Sequence, residues 1–293
     1  MHDSFLRGIP SGIPWRRFRE FISPQANRFT ILNELLTEAK LDYSVFDITG
    51  NRHFIAADGQ YPPVILVAHY DRAPGSPGAN DNSTGVFLLL ETAIKLKSGK
   101  IKDWMIIFTD KEELKTGESI QTQGAYALAM SLKNSAVKKS KVFSFDSCGT
   151  GDTLVISTTA DYLLKKEGGG KKLRDSVMEL RKLALDTARN LSMAKVLLAP
   201  TPFSDDAGFF RAGLAAQAIT MLPTAECARL STELRKNPDF ADALISAERQ
   251  KNNRDKFIPE TWRYLNGPGD SYLRLTPEHF HTVVRFAEAL VRG

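Results

Sequence analysis

The stretch Val64-Ile65-Leu66-Val67-Ala68, followed at once by His69-Tyr70-Asp71, decides the fold and places the candidate site. The unbroken apolar run predicts a strand buried on both faces, as in a parallel sheet covered by helices. Asp81 follows ten residues after Asp71, within the Gly- and Asn-rich segment 78–85. A histidine and carboxylates at the end of a buried strand and in the next loop are ligands that zinc and similar metals take. We therefore expect a metal site here.

The rest of the chain alternates between predicted strands and predicted helices. Strands are expected at 41–47, 53–57, 104–109, 141–146 and 215–222, and helices at 15–40 (broken at Pro24), 83–96, 124–132, 174–191 and 277–291. This alternation indicates an α/β fold with a central mixed, mostly parallel sheet flanked by helices on both faces. Because no repeat or low-complexity linker divides the chain, we expect a single domain over 1–293. The polar segment at about 226–260 is expected to be a helical excursion.

The composition is that of an ordinary globular protein, with 293 residues, 42% hydrophobic and 25% charged. No apolar run reaches the ~18 residues that span a bilayer, and residues 1–7 lack the apolar core of a signal peptide. Cys148 and Cys227 are far apart and fit a reducing compartment. We therefore expect a cytoplasmic protein without a membrane partner.

The net charge of +5 is mild, and its lysine clusters lack interleaved aromatic residues. A nucleic-acid partner is therefore not expected, because such surfaces combine basic and aromatic side chains. The clusters fall near predicted turns and helix ends, where solvated lysines are usual. The sequence carries no signal for the oligomeric state.

Three predicted buried strands end in groups that can hold a metal or a proton. The transitions are Ala68 to His69-Tyr70-Asp71, Thr109 to Asp110-Lys111-Glu112-Glu113, and Phe145 to Asp146. Ligands bind at the carboxyl ends of strands in open α/β sheets, so we expect these three endings to converge. Each signal alone is weak, since a single carboxylate after a strand is often a cap. Their succession in one chain indicates a site.

In this order, the motifs resemble the co-catalytic zinc exopeptidases of the bacterial leucyl aminopeptidase and aminopeptidase Y type, whose relatives include glutaminyl-peptide cyclotransferases. The matching segments are His69-Tyr70-Asp71, Gly78-Ala79-Asn80-Asp81-Asn82-Ser83-Thr84-Gly85, Glu112-Glu113 and Phe145-Asp146, with weaker matches at Gly124-Ala125-Tyr126, Ser204-Asp205-Asp206 and Leu222-Pro223. The resemblance covers roughly 64–270. It implies a zinc-exopeptidase-like (phosphorylase/hydrolase-like) fold. It also implies an aminopeptidase-like hydrolase that removes N-terminal residues from peptides or small aminoacyl substrates.

The resemblance also implies roles for single residues. The implied zinc ligands are His69 and Asp146 at one ion, Glu113 at the second ion, and Asp81. Asp81 would bridge two ions, and the peptide bond after it would be cis. Asp71 would orient the His69 ring. Glu112 would be the general base that takes a proton from a metal-activated water during attack on the peptide carbonyl.

The last motif departs from the family's pattern. A histidine for the second metal is expected late in the chain, but the register of 261–271 places Asn266 there. An amide oxygen is a poor zinc ligand beside imidazole, so either one or two ions bind. The second site is weak, empty or occupied by a harder metal such as Mg or Mn. Asp206 also stands where many relatives carry histidine.

Two alternative functions stay open. A glutaminyl cyclase-like acyltransferase needs one zinc, but those relatives keep it at the site that Asn266 weakens. A non-catalytic member of the family would bind peptides or a partner protein through the same cleft, which fits the loss of one ligand. The intact Glu112-Glu113 pair favours the peptidase, because it supplies both a base and a ligand.

Overall fold

The computed structural model describes residues 12, 14–115, 117–135, 137–237, 239–245 and 257–293. Within them one mixed sheet contains β1 (Tyr43–Ile48), β2 (Asn51–Asp58), β3 (Val64–His69), β4 (Trp104–Thr109), β5 (Lys141–Phe145), β6 (Thr153–Ser157), β7 (Val196–Ala199) and β8 (Ala216–Leu222). The strand order is β1-β2-β4-β3-β5-β8-β6-β7. Strands β4, β3, β5 and β8 form a parallel centre, and β2 and β6 flank it in antiparallel pairing. This is the mixed, mostly parallel sheet that the sequence predicts.

Helices cover both faces of the sheet. They are α1 (Phe18–Phe21), α2 (Arg28–Glu38), α3 (Gly85–Ser98), α4 (Gly124–Leu132), α5 (Thr159–Glu167), α6 (Lys171–Asn190), α7 (Asp205–Arg211), α8 (Thr224–Lys236), α9 (Phe240–Ile245), α10 (Glu260–Arg263) and α11 (Phe280–Arg292). Apolar side chains of α2, α3, α6 and α11 share one core with the sheet, and those of α4 and α7 share another. No helix in the described ranges combines the length and the apolar character that a bilayer span requires.

Strand β3 shows why a continuous apolar run was the most informative signal. Val64, Leu66 and Ala68 lie in the core formed with α3 and α11, whereas Ile65 and Val67 pack with α4. Successive side chains of a strand point to opposite faces, so a strand covered on both sides needs apolar residues throughout. The strand therefore delivers His69, its last residue, into a fully buried position.

No element is predicted over β6, β7, α5 or α7, which the structure adds to the fold. The predicted helix over 15–40 forms α1 and α2, with Pro24 between them. The helix expected from 83 begins at Gly85, after a kinked segment over Ala79–Thr84 in which Asp81 and Asn82 have non-helical backbone angles.

The described part of the predicted polar excursion contains most of α8 and all of α9. Leu230 and Phe240 of these helices pack with Trp262, Val155 and Leu222 in a separate core. Residues 246–256 of the excursion lie outside the described residues. The single-domain boundary at 1–293 stays a prediction.

Candidate functional site

The predicted site residues meet at one edge of the sheet. Because β4, β3 and β5 are parallel neighbours, their carboxyl ends lie side by side. The end of β3 carries His69, the loop after β4 carries Glu112, and Asp146 directly follows β5. The expected convergence of the three strand endings is therefore what the fold produces.

His69 lies at the centre of the cluster. Its Nε2 is 3.1 Å from Asp81 Oδ1 and 3.7 Å from Asp146 Oδ2, and neither ring nitrogen has a hydrogen bond of good geometry. Burial would lower the pKa of His69, but the carboxylates of Asp146, Asp71 and Asp81 raise it well above its ordinary value. One donor atom from each of His69, Asp81 and Asp146 lies within 4.8 Å of the others. A buried imidazole with two converging carboxylates fits zinc.

Asp71 links the His69 ring to the loop that follows β4. Its Oδ1 lies 3.3 Å from His69 Nδ1 and accepts from the backbone N–H of Glu112 at 3.1 Å. Its Oδ2 accepts from the backbone N–H of Glu113 at 3.0 Å. Lys111 turns the chain in the left-handed region (φ 57°), which aims these two N–H groups at Asp71. Asp71 is therefore placed to fix both the imidazole and the two glutamates.

Glu112 and Glu113 complete the cluster, with one oxygen each within 4.8 Å of a His69 nitrogen. Gln123 Nε2 donates to Glu112 Oε1 at 3.0 Å and to the Glu112 carbonyl at 3.1 Å. Burial raises the pKa of Glu112 well above its ordinary value. Burial and the negative charge of Asp81 raise the pKa of Glu113 to about 9. A cation among these carboxylates would favour their ionised forms.

The loop that carries Asp81 is held by hydrogen bonds to two other parts of the chain. Asp270 accepts from the backbone N–H groups of Asn80 (2.8 Å) and Asp81 (3.0 Å). Asn82 Nδ2 donates to the Phe145 carbonyl at 2.7 Å. The peptide bond between Asp81 and Asn82 is cis, as the resemblance implies.

Asn266 lies at the exposed rim of the cluster, where its left-handed backbone (φ 62°) suits asparagine. In the orientation that satisfies its amide, the nitrogen donates to Glu113 Oε1 (2.6 Å), Glu113 Oε2 (2.9 Å) and Asp81 Oδ2 (3.1 Å). The sequence register therefore places Asn266 next to the two expected ligands of the second metal. Its role as a ligand stays a prediction, as do the roles of the other site residues.

Sequence reasoning missed three residues that hold the site together: Gln123, Asp270 and Arg28. Gln123 precedes a weak motif match at Gly124-Ala125-Tyr126, and Asp270 lies in register with the last motif, so both had a faint signal. Arg28 had none, because its partners Tyr70 and Ser83 lie 42 and 55 residues away.

Asp206 is a buried acid whose charge should make stability depend on pH. Burial raises its pKa from 3.8 to about 7. The folded state therefore keeps a proton that the unfolded state releases, and Asp206 makes the protein less stable as the pH rises from about 4 through 7. We expect the free energy of unfolding of Asp206→Asn, measured by urea unfolding at pH 8.5, to exceed that of the wild type by up to about 4 kcal/mol. At pH 4.5 the two should be alike, and an equal difference at both pH values would contradict this.

Together the fold and the clustered donors define an α/β protein of the zinc-exopeptidase type. The chain belongs to peptidase family M28, whose family model matches residues 54–290. Aminopeptidase YwaD of Bacillus subtilis (strain 168) is 52% identical over 40 residues, which are 13% of this chain and 9% of that protein.

Two solved structures illustrate the shared fold. BSAP, a zinc aminopeptidase from Bacillus subtilis, superposes with a TM-score of 0.53 at 20% identity, covering 82% of this chain and 49% of BSAP. The glutaminyl cyclase of Porphyromonas gingivalis superposes with a TM-score of 0.59 at 16% identity, covering 98% and 99%. The chain thus spans about half the length of BSAP.

Proposed function

We propose that this chain is a metal-dependent exopeptidase of the aminopeptidase type, which removes N-terminal residues from peptides or small aminoacyl compounds. The observation that supports this most strongly is the buried convergence of His69, Asp81 and Asp146 beside Glu112. These three residues would hold a zinc ion. Membership in peptidase family M28 and the likeness to a zinc aminopeptidase agree with it.

The side chains around the zinc position suit hydrolysis. A zinc ion there would supply Lewis-acid chemistry, lowering the pKa of a water molecule and polarising the peptide carbonyl. Gln123 donates to Glu112 Oε1, and the second carboxylate oxygen would accept a proton from the attacking water and deliver it to the leaving amine. Asp71 fixes the ring of His69 so that Nε2 faces the two carboxylates.

We further propose that a single zinc binds tightly. The amide nitrogen of Asn266 donates to Glu113 and Asp81, and it thereby engages the carboxylates that a second ion would need. An amide nitrogen donates hydrogen bonds and does not bind a metal, and an amide oxygen binds zinc poorly. A second, weaker site remains open to a harder ion such as Mn or Mg, for which carboxylate and amide oxygens are suitable ligands.

A glutaminyl cyclase-like acyltransferase is the second candidate. Its support is the fold of the Porphyromonas gingivalis glutaminyl cyclase, which matches nearly the whole of both chains. Product analysis separates the two, since a peptidase releases free glutamine from a Gln-peptide whereas a cyclase leaves an N-terminal pyroglutamyl group and releases ammonia. Pyroglutamyl product without free amino acid would replace the peptidase proposal.

Asn266→His tests the single-zinc proposal. We expect the wild type to retain one zinc per chain by elemental analysis and the variant to approach two, because imidazole completes a site with Glu113 and Asp81. Asn190→His, on the exposed end of α6, controls for adventitious binding by a new histidine.

Hydrolysis of aminoacyl anilides, with zinc or manganese added, is measured on the same samples. Two tightly bound zinc ions in the wild type would overturn the single-zinc proposal. If the chain binds no metal and hydrolyses no substrate under any loading condition, the enzyme proposal is overturned, and a non-catalytic peptide- or protein-binding member is favoured.

We also propose that the chain works as one domain in the cytoplasm, without a nucleic-acid partner. Cys148 and Cys227 are both unpaired and buried, which fits a reducing compartment. Cell fractionation with a tagged chain tests the location, and recovery in the exported fraction would contradict it.

A further inference from the structure

Arg28, at the start of α2, is a buried cation in contact with the loop that connects β3 to α3, residues 70–84. Its side chain donates to five backbone carbonyls and to the Ser83 hydroxyl, although only 6% of the residue is exposed. We propose that Arg28 is a positioning residue that holds the beginning of this loop (70–71) and its end (77–83) in the arrangement where Asp71 and Asp81 face His69. This inference rests on the proposed function, which assigns roles to both parts of the loop.

One nitrogen of the guanidinium holds the beginning of the β3–α3 loop. Arg28 Nη1 donates to the carbonyl of Tyr70 at 3.1 Å and to the carbonyl of Asp71 at 2.9 Å. These carbonyls belong to the two residues directly after His69. The contacts therefore fix the backbone that carries the Asp71 carboxylate towards His69 Nδ1.

The other terminal nitrogen holds the end of the same loop. Arg28 Nη2 donates to the carbonyls of Pro77 (2.8 Å) and Gly78 (3.2 Å) and to Ser83 Oγ (2.8 Å). Pro77 and Ser83 lie on either side of Asp81. A Cβ at Gly78 would lie 2.8 Å from Arg28 Nη2 and 2.7 Å from the Asp81 carbonyl, so the loop closes tightly on the guanidinium.

The chemistry of this contact requires arginine. A guanidinium has five N–H donors in a rigid plane, so one side chain can hold both ends of the loop at once, whereas an ammonium is a point charge with three donors. Burial lowers the pKa of Arg28 to about 9, and the negative charges of Asp71, Asp270 and Asp81 favour its protonated form. Arg28 therefore remains a buried positive charge beside an acidic cluster at neutral pH.

Arg28 lies before residue 54, where the match to the family model begins. The part of the chain before β2 would thus contribute directly to the order of the site. Arg28 also contacts Phe21 of α1, whose carbonyl accepts from Nε at 3.3 Å and whose ring lies 4.8 Å from Cζ. These contacts fit a simpler alternative, in which Arg28 has a structural role alone. In that role Arg28 would only pin α2 to α1, and substitutions would change stability without changing the metal site.

The test compares Arg28→Lys and Arg28→Met with Arg181→Lys and Arg181→Met. Arg181 is a matched control, because it is also buried but joins α6 to α5 through two hydrogen bonds with Asp161.

Zinc affinity is measured by competition with a chromophoric chelator, and stability by urea unfolding. We expect Arg28→Lys to weaken zinc binding by about 10–100-fold, as for other groups that orient metal ligands. Its kcat should fall while KM stays near wild type, and Arg28→Met should lose more.

The Arg181 variants are expected to lose stability but to keep wild-type zinc affinity and kcat. A folded Arg28→Lys variant with wild-type zinc affinity and kcat would overturn the inference. If Arg28→Met does not fold, Ser83→Ala takes its place. It removes one acceptor of the guanidinium and should weaken zinc binding less, in the same direction.

Failure of the proposed function looks different, because the wild type would then bind no zinc and hydrolyse no aminoacyl anilide. Amide hydrogen exchange across 70–83 tests the contact in that case as well. We expect faster exchange in both parts of the loop (70–71 and 77–83) in Arg28→Lys and wild-type exchange in Arg181→Lys. Unchanged exchange throughout the loop in Arg28→Lys would overturn the inference on its own.

Discussion

We expect Glu112→Gln to lower kcat by about 10²–10⁴-fold, the contribution of a general acid–base group, while zinc content stays that of wild type. Glutamine keeps the shape of the side chain and can still accept a hydrogen bond from Gln123 through its amide oxygen. It presents no carboxylate oxygen to take a proton. The chemical step should therefore fail in a site that is otherwise assembled, which single-turnover rates and elemental analysis measure on the same sample.

Asp110→Asn provides the matched control in the same loop. The Asp110 carboxylate accepts from the backbone N–H groups of Arg52 (3.2 Å) and Lys111 (3.0 Å), and it takes no part in the His69 cluster. We expect this variant to keep zinc and most of kcat. If Glu112→Gln lost its zinc instead, Glu112 would act as a ligand; if it kept full activity, the base would have to be another group.

The parts of the fold that could be predicted are those where one local pattern has one structural meaning. The continuous apolar runs of β3 and β4 indicate strands buried on both faces, and polar groups directly after such strands must lie at the carboxyl edge. The neighbourhood of His69, Glu112 and Asp146 follows from those two facts once the strands are parallel neighbours. Asn266 was found through the family resemblance instead, because Trp262, Pro268, Asp270 and Ser271 fall in register with the last motif.

The support of the site could not be predicted, because it depends on contacts between distant segments. Asp270 accepts from the N–H of Asp81 across 189 residues, and Arg28 reaches the carbonyl of Gly78 across 50. A sequence pattern reports which face of an element is apolar, and it carries no information about which backbone groups a buried arginine will meet. The burial of the Arg28 charge is visible only after α2 is packed beside the β3–α3 loop.

The pKa values of the acids in the site also depend on packing and could not be predicted. The sequence shows several acids, but only the packing shows that Glu113 and Asp270 are buried closely enough to raise their pKa values to about 9 and about 7. Carboxylates that are held together in this way repel one another and favour either protons or a cation. The buried charge of Arg28 offsets part of this repulsion, and a divalent ion at His69 would offset more.

We expect His69→Ala to abolish tight zinc binding together with zinc-dependent stabilisation and activity. His69 is the nitrogen donor of the cluster, and its loss leaves Asp81 and Asp146, an oxygen-only pair that zinc holds weakly. In the wild type, free zinc at ~100 times its Kd should add about 2.7 kcal/mol to the free energy of unfolding. In the variant the melting temperature should not change with zinc.

His53→Ala is the matched control, because His53 is equally buried and lies on neighbouring β2, where its Nδ1 accepts from the Asp110 N–H at 3.3 Å. Both substitutions remove a buried imidazole, so both should lower the melting temperature of the metal-free protein. The zinc-induced rise should survive only in His53→Ala. A zinc-induced rise of wild-type size in His69→Ala would place the tight ion elsewhere, with Glu113, Asp81 and Asn266 as the next donors to substitute. Because the carboxylates around His69 repel one another without a cation, the wild type should gain most from zinc where they are ionised, at neutral to alkaline pH.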